Sequence, residues 1–269
     1  MQKFKFSVVV VVTISHLLTL QQCCHAHAPQ YHPPSPTSNW CRHDESDALV
    51  QFKNSFTIIG DGHDRATSWK GGVDCCLWEG VTCDPLTGHV TGLDLSCAQV
   101  ADLPYHIPQY SLLLDSISYT AKCHRLQGTL QANNSIAHLR FLRSLNLAHN
   151  DFHDSIIPYS FTKLTSLSHL NLSNTKLAGR IPSGFNHLDK LVLLDLSFNH
   201  VSFGKPEDYS KLLANATKLS ELWLQRVNMS DIKPSSFSNL SRSLKYLDFS
   251  SCGLVRSFKR LSSACQNSN

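Results

Sequence analysis

The side chains best equipped for covalent chemistry are cysteines, and their densest run is Trp69-x5-Cys75-Cys76-x-Trp78-x-Gly80-Val81-x-Cys83. Thiols in such a run either oxidise to disulfides or ligate a metal. Cys75 and Cys76 are adjacent and so point to different partners. Cys76 and Cys83 lie seven apart and close a small loop, which leaves Cys75 to reach back to Cys41. Each closure stabilises by about 2–4 kcal/mol. The run lacks the paired CxxC units of a zinc finger, so no metal site is expected. The N-terminus also favours oxidation. Lys3 and Lys5 precede an apolar run from Phe6 to Leu20, and Ala26 and Ala28 follow it. This is the pattern of a secretory signal peptide, here over 1–28. As a helix the run would span roughly 22 Å, short of the roughly 30 Å core of a bilayer. No later run has transmembrane length, so the product is expected in the secretory pathway and outside the cell. Cleavage there removes Cys23 and Cys24. Cys97 with Cys123, and Cys252 with Cys265, are then the remaining candidates for pairing.

Catalytic chemistry has no comparable foothold. There is no Gly-rich phosphate loop, no G-x-S-x-G, no H-E-x-x-H and no kinase signature, and the acidic residues form no spaced pair. No enzyme activity and no cofactor are expected. A net charge of +4 with 16% charged residues gives no basic patch for nucleic acid. The fifteen His are scattered. Five N-glycosylation sequons, at Asn133, Asn171, Asn215, Asn228 and Asn239, mark candidate sites on an exported chain.

What positions these residues is a repeat. Leu139-x-x-Leu142-x-x-Leu145-x-Leu147-x-x-Asn150-x-Phe152 returns as Leu164-x-x-Leu167-x-x-Leu170-x-Leu172-x-x-Thr175-x-Leu177, with Leu142 and Leu167 25 residues apart. That period and spacing predict a leucine-rich-repeat solenoid. Each Leu-x-Leu is a short strand buried on one face, and the inward Asn bonds backbone of neighbouring turns, as a buried amide must. A regular turn at Leu188–Val201 follows, then a short insertion over Ser202–Lys211. Val227 and Cys252 stand where Asn belongs, and the loss of the amide at Val227 costs on the order of 1 kcal/mol. The first turn, Val90-x-x-Leu93-x-Leu95, is interrupted. Its second half sits at Cys123–Gly128, so residues 97–122 read as an insertion, either intron-like sequence or a loop pinned by Cys97–Cys123. The expected fold is α/β: one parallel sheet of about six strands with irregular or 3₁₀ return arms.

A cap precedes the solenoid. Residues 29–40 form a Pro-rich, disordered lead-in. Asp44 reads as an N-cap, and Ala48, Leu49, Phe52 and Phe56 at helical spacing predict a helix from Glu45 to Phe56. Gly60–Thr67 is a polar loop. The organisation is then a cap over 41–84, repeats over 85–256 and a tail over 257–269. Residues flanking the strand leucines face outward on the concave sheet. Among them Phe198, Trp223 and Tyr246, with Arg226 nearby, are residue types enriched at binding hot spots.

Cys41, the helix and the double-cysteine run resemble the N-terminal cap of plant extracellular leucine-rich-repeat proteins, and Gly179-x-Ile181-Pro182 is similar to their repeat ending. With Leu93-Asp94-Leu95-Ser96-Cys97 and Leu145–Phe152, they most resemble receptor-like proteins of the disease-resistance type. The resemblance implies the N-terminal part of a cell-surface receptor in defence or development. It would bind a protein, peptide or glycan, with signalling supplied by a co-receptor kinase. The alternative it implies is a secreted inhibitor or decoy similar to the polygalacturonase inhibitors. Receptor-like proteins carry more repeats, a C-terminal cap and a membrane helix, so a truncated product and a short secreted protein both stay open.

Overall fold

The computed structural model describes residues 40–60, 68–97, 125–132, 134–233, 236 and 243–254, all within one compact unit spanning Asn39–Asn269. The expected signal peptide, the lead-in over 29–39, Cys123, Cys265 and the tail from 257 lie outside the described residues. So do residues 98–122 of the expected insertion.

Each Leu-x-Leu forms a strand of a few residues. β3 (Val90–Asp94), β5 (Ser144–Asn146), β6 (His169–Asn171), β8 (Leu193–Asp195), β10 (Glu221–Trp223) and β11 (Tyr246–Asp248) run parallel in one sheet. The register advances one repeat per strand, placing Leu93, Leu145, Leu170, Leu194, Leu222 and Leu247 side by side. Leu145, Leu170, Leu194 and Leu222 are at most 1% exposed, so one side of the sheet is the core. These are the six parallel strands that the repeat spacing predicts. A seventh, β2 (Val81–Cys83) from the cap, pairs antiparallel with β3.

The return arms are 3₁₀ turns at Ser135–His138, Tyr159–Lys163 and Ser183–His187. Pro158 and Pro182 precede two of them, where the missing N–H removes no bond. Phe161 and Phe185 fill the space behind the sheet. The segment read as a short insertion after Ser202 is in fact mostly helix, Pro206–Asn215. Pro at its first position and Glu207 and Asp208 in its first turn suit a helix N-terminus, and Tyr209, Leu212 and Leu213 are buried. Two short sheets flank the main one. β7 (Ala178–Ile181) pairs parallel with β9 (His200–Phe203), and β1 (Thr57–Ile59) pairs antiparallel with β4 (Arg125–Gln127). β1 has no sequence signal of its own.

The cap helix α1 is His43–Asn54, starting and ending two residues earlier than expected. Its N-cap is Arg42, without a side-chain bond, and not Asp44. Glu45 explains the shift. It is 3% exposed, its carboxylate accepts the Val90 N–H at 2.7 Å and contacts His89 Nδ1 at 3.1 Å. It therefore pins the helix start to β3. Cys41 is bonded to Cys75 and Cys76 to Cys83. Asp74 Oδ1 accepts N–H bonds from both Cys41 and Cys76, and Trp69 stacks on Trp78 at 5.3 Å. Gly80 has φ +82, and a Cβ there would lie 2.3 Å from the Asp94 carbonyl oxygen. Only glycine fits this close approach of cap to sheet.

Asn150 holds the interrupted first turn together. Its Nδ2 donates to the Leu95 carbonyl and its Oδ1 accepts the Leu126 N–H. Residues before and after the expected insertion thus meet on one amide.

Candidate ligand-binding face

The open face of the main sheet is built by the residue after each strand leucine. Those residues are Asp94, Asn146, Asn171, Asp195, Trp223 and Asp248, adjacent in the register. Five are Asp or Asn for one reason. Each side chain accepts the backbone N–H two residues on, at 2.8–3.2 Å, which turns the chain out of the strand. Ser96, Ser173 and Ser197 add a hydroxyl donor to the same oxygen. Trp223 breaks the row. Its indole N–H donates to Glu221 at 3.4 Å.

Beyond the turn lies a second row, His149, Asn174, Phe198, Arg226 and Ser251, with φ between +51 and +63. Left-handed backbone is uncommon for side chains of this size. Arg226 lies over the Phe198 ring at 5.2 Å. Trp223 and Tyr246 stack with centroids 6.4 Å apart and planes within 12°. The four residues singled out from sequence therefore come together as two ring contacts. Sequence reasoning gives no weight to the carboxylates beside them. Asp195 and Asp248 flank Trp223 in the register, Glu221 accepts its N–H, and none of the three has an ion-pair partner among the described residues. The Asp–x–Ser spacing is the available signal. Burial pushes the Asp195 carboxyl up to about 6, against donors from Ser197 and Ser173, and the Asp248 charge adds to the rise.

Behind the face, Asn150, Thr175, Asn199, Val227 and Cys252 form the inward row. Asn199 makes the fullest set of bonds. Its Oδ1 accepts from Thr175 N–H and Leu177 N–H, and its Nδ2 donates to Leu172 and Leu196 carbonyls. Cys252 corrects one expectation. It is a free, buried thiol, not half of a C-terminal staple with Cys265. Its Sγ donates to the Leu224 carbonyl at 2.8 Å and lies 3.6 Å from that of Ser250, the positions an inward Asn would serve. Burial pushes the thiol up to about 12. Cys97 is disulfide-bonded, and its candidate partner Cys123 lies outside the described residues.

Of the sequons, Asn171 sits on the open face in β6. Asn215 ends α2, the helix Pro206–Asn215, and Asn228 is exposed. Asn133 and Asn239 lie outside the described residues. The sulfurs of Cys41, Cys75 and Cys76 cluster closely, but all are in disulfides. Among the described residues no helix is long and apolar enough to cross a membrane.

Residues 42–84 match the leucine rich repeat N-terminal domain and residues 140–201 match the leucine rich repeat. Receptor-like protein 6 of Arabidopsis thaliana is 35% identical over 244 residues, 83% of this chain and 22% of that protein. The chain thus spans about a fifth of the length of the curated relatives it matches. Among solved structures, a plant ice-binding protein is similar with a TM-score of 0.57 at 25% identity, covering 78% of this chain and 56% of that one. The leucine-rich-repeat ectodomain of the Arabidopsis receptor kinase HAESA, in complex with an N-terminal extended IDA peptide hormone ligand, has a TM-score of 0.53 at 26% identity, covering 81% and 35%. With its disulfide-bonded cap, its parallel sheet and these relatives, the chain belongs to the leucine-rich-repeat proteins of the plant receptor-like type.

Proposed function

We propose that this chain is an extracellular binding module that receives a protein or peptide ligand on the open face of its parallel sheet. In this reading it acts by binding and not by catalysis. The observation that carries the reading is the face itself, where the part-exposed Asp94, Asn146, Asn171, Trp223 and Asp248 share one side of the sheet with two ring contacts. Aromatic and Arg anchors on such a face are typical of binding hot spots. The HAESA ectodomain, similar in fold, has a peptide ligand, and the relatives are named receptor-like proteins, which does not favour the inhibitor alternative. The place of action is the outer face of the cell or the extracellular space, and a partner kinase would carry the signal onward.

A glycan wedge tests this. Ala148→Ser turns Asn146 into a sequon asparagine on the sheet face, and Ser already occupies the equivalent position at Ser96, Ser173 and Ser197. Lys163→Asn creates a sequon on a return arm. Both are secreted from plant cells and incubated with peptides from extracellular fluid. Peptides retained by the native chain and by Lys163→Asn, but lost from Ala148→Ser, support the reading. Equal retention by all three sinks it.

A further inference from the structure

We infer that the cavity between the first two return arms is a binding site for an acidic sugar, a uronic acid whose carboxylate meets three cationic side chains. The site is lined by the return arms and does not rest on the binding-face reading above.

The cavity holds about 570 Å³ between the arms Ser135–His138 and Tyr159–Lys163. Two observations point to a ligand. First, two polar side chains that line it, Asn134 and Ser160, are each only 7% exposed and incompletely bonded. Asn134 caps the first arm through Oδ1, which accepts the Ile136 N–H at 3.0 Å. Its Nδ2 has no partner among the described residues. Ser160 Oγ is buried with no hydrogen-bond partner. The repeat does not force this. Ser135 stands at the equivalent place, 25 residues earlier, and its hydroxyl donates to the Ala48 carbonyl at 2.8 Å. A buried polar group left unpaired costs stability, and a ligand that bonds both groups recovers it. Second, the charge is one-sided. His138, Arg140 and Lys163 line the cavity, and no described Asp or Glu does. All three are exposed, and none has an ion-pair partner among the described residues. Elsewhere Lys176 pairs with Asp151 at 2.6 Å and His200 with Asp154 at 3.2 Å.

The lining decides the ligand. Three cations call for an anion, and Arg offers a planar fork that fits a carboxylate. The cavity is many times the roughly 30 Å³ of a water molecule, so it takes more than a bare oxyanion. Ala137 is the one apolar residue in the described lining. An aromatic anion such as a sulfated tyrosine therefore finds little surface to bury against. A sugar ring needs less. Its hydroxyls take the Asn134 amide and the Ser160 hydroxyl, which turns toward them about its single side-chain torsion. Its carboxylate takes the cations.

Calorimetric titration of the full secreted chain tests this with four probes: trigalacturonate, its methyl ester, inorganic phosphate and a sulfotyrosine peptide. Asn133→Gln protein is titrated alongside, so that a glycan on the adjoining sequon does not mask the cavity. Trigalacturonate is expected to bind, more weakly as salt rises, and the ester at least about tenfold more weakly. Arg140→Gln and Lys163→Gln should each weaken trigalacturonate about tenfold. Lys70→Gln, the same charge change on the cap, should leave it unchanged. Asn134→Asp keeps the cap, since Asp serves that position as well as Asn. It puts an anionic oxygen in place of the free amide and should abolish binding. Ser160→Ala should weaken binding yet raise the melting temperature of the empty chain, because an unpartnered hydroxyl is gone. Equal binding of the ester, of phosphate or of the sulfated peptide overturns the proposal. So does unchanged binding by Arg140→Gln, Lys163→Gln and Asn134→Asp, or no binding by either form of the chain. The glycan wedge at Lys163→Asn separates the two readings. It should lose trigalacturonate while keeping the peptides of the open face, and retained trigalacturonate means that this cavity is not the site. Failure of the Ala148→Ser wedge sinks the face and leaves the cavity standing.

Discussion

At the scale of single residues, Asp195 carries the largest electrostatic consequence. It is 4% exposed, and desolvation, the dominant cause, raises its carboxyl from 3.8 to about 6. The folded chain therefore keeps a proton that the unfolded chain releases at lower pH. Stability contributed by this group is present below the unfolded value and is lost as pH rises through the folded one. The loss between roughly pH 4 and 6 is on the order of 3 kcal/mol. Asp195→Asn with Ser197→Ala should flatten the melting temperature across this window and raise it above pH 6. A variant whose melting temperature still falls between those pH values would show that another group is responsible.

At the scale of the repeat, the inward row decides how well one turn is tied to the next. Asn150 and Asn199 each bridge adjacent turns through both amide atoms. Val227 bonds nothing through its side chain, and Cys252 offers only a weak thiol donor. Cys252→Asn should restore the bridge and stabilise by about 1 kcal/mol in urea unfolding. A destabilised variant would mean that the buried space suits sulfur and not an amide. In the native chain, labelling followed by mass spectrometry should find Cys252 unreactive until urea unfolds the last turns. This row is readable from sequence because its spacing is fixed by the 25-residue period. So are the six parallel strands and the two cap disulfides. What is not readable depends on partners distant in the chain. β1 exists because β4 offers it an edge. α1 starts at His43 because Glu45 is held by Val90. The helix over Pro206–Asn215 hides behind the repeat pattern, which marks the segment by its extra length, although Tyr209, Leu212 and Leu213 stand at helical spacing. The two ring contacts are legible as a group of four residues, but which side chain meets which is set by the strand register and the left-handed turn.

At the scale of the whole molecule, stability runs along one dimension, because each turn touches only its neighbours. The cap therefore guards one end of a stack. Its longer disulfide closes 34 residues and the shorter one seven, worth about 4 and 2 kcal/mol by loop closure. Mild reduction should lower the melting temperature and let amides of β2 and β3 exchange before those of β6 and β8. Uniform exchange after reduction would argue instead for one cooperative unit. The face carries a different legacy of its architecture. Asp94-Leu95-Ser96, Asp195-Leu196-Ser197 and Asp248-Phe249-Ser250 are the same turn as Asn171-Leu172-Ser173, differing by one atom type at the first side chain. In the genetic code Asp and Asn are separated by a single nucleotide. Three point mutations, none of which need disturb the turn, would each exchange a charge on this surface for a sugar attachment site. The turn chemistry that shapes the sheet thus gives a lineage a short mutational route between recognising a partner and hiding from it.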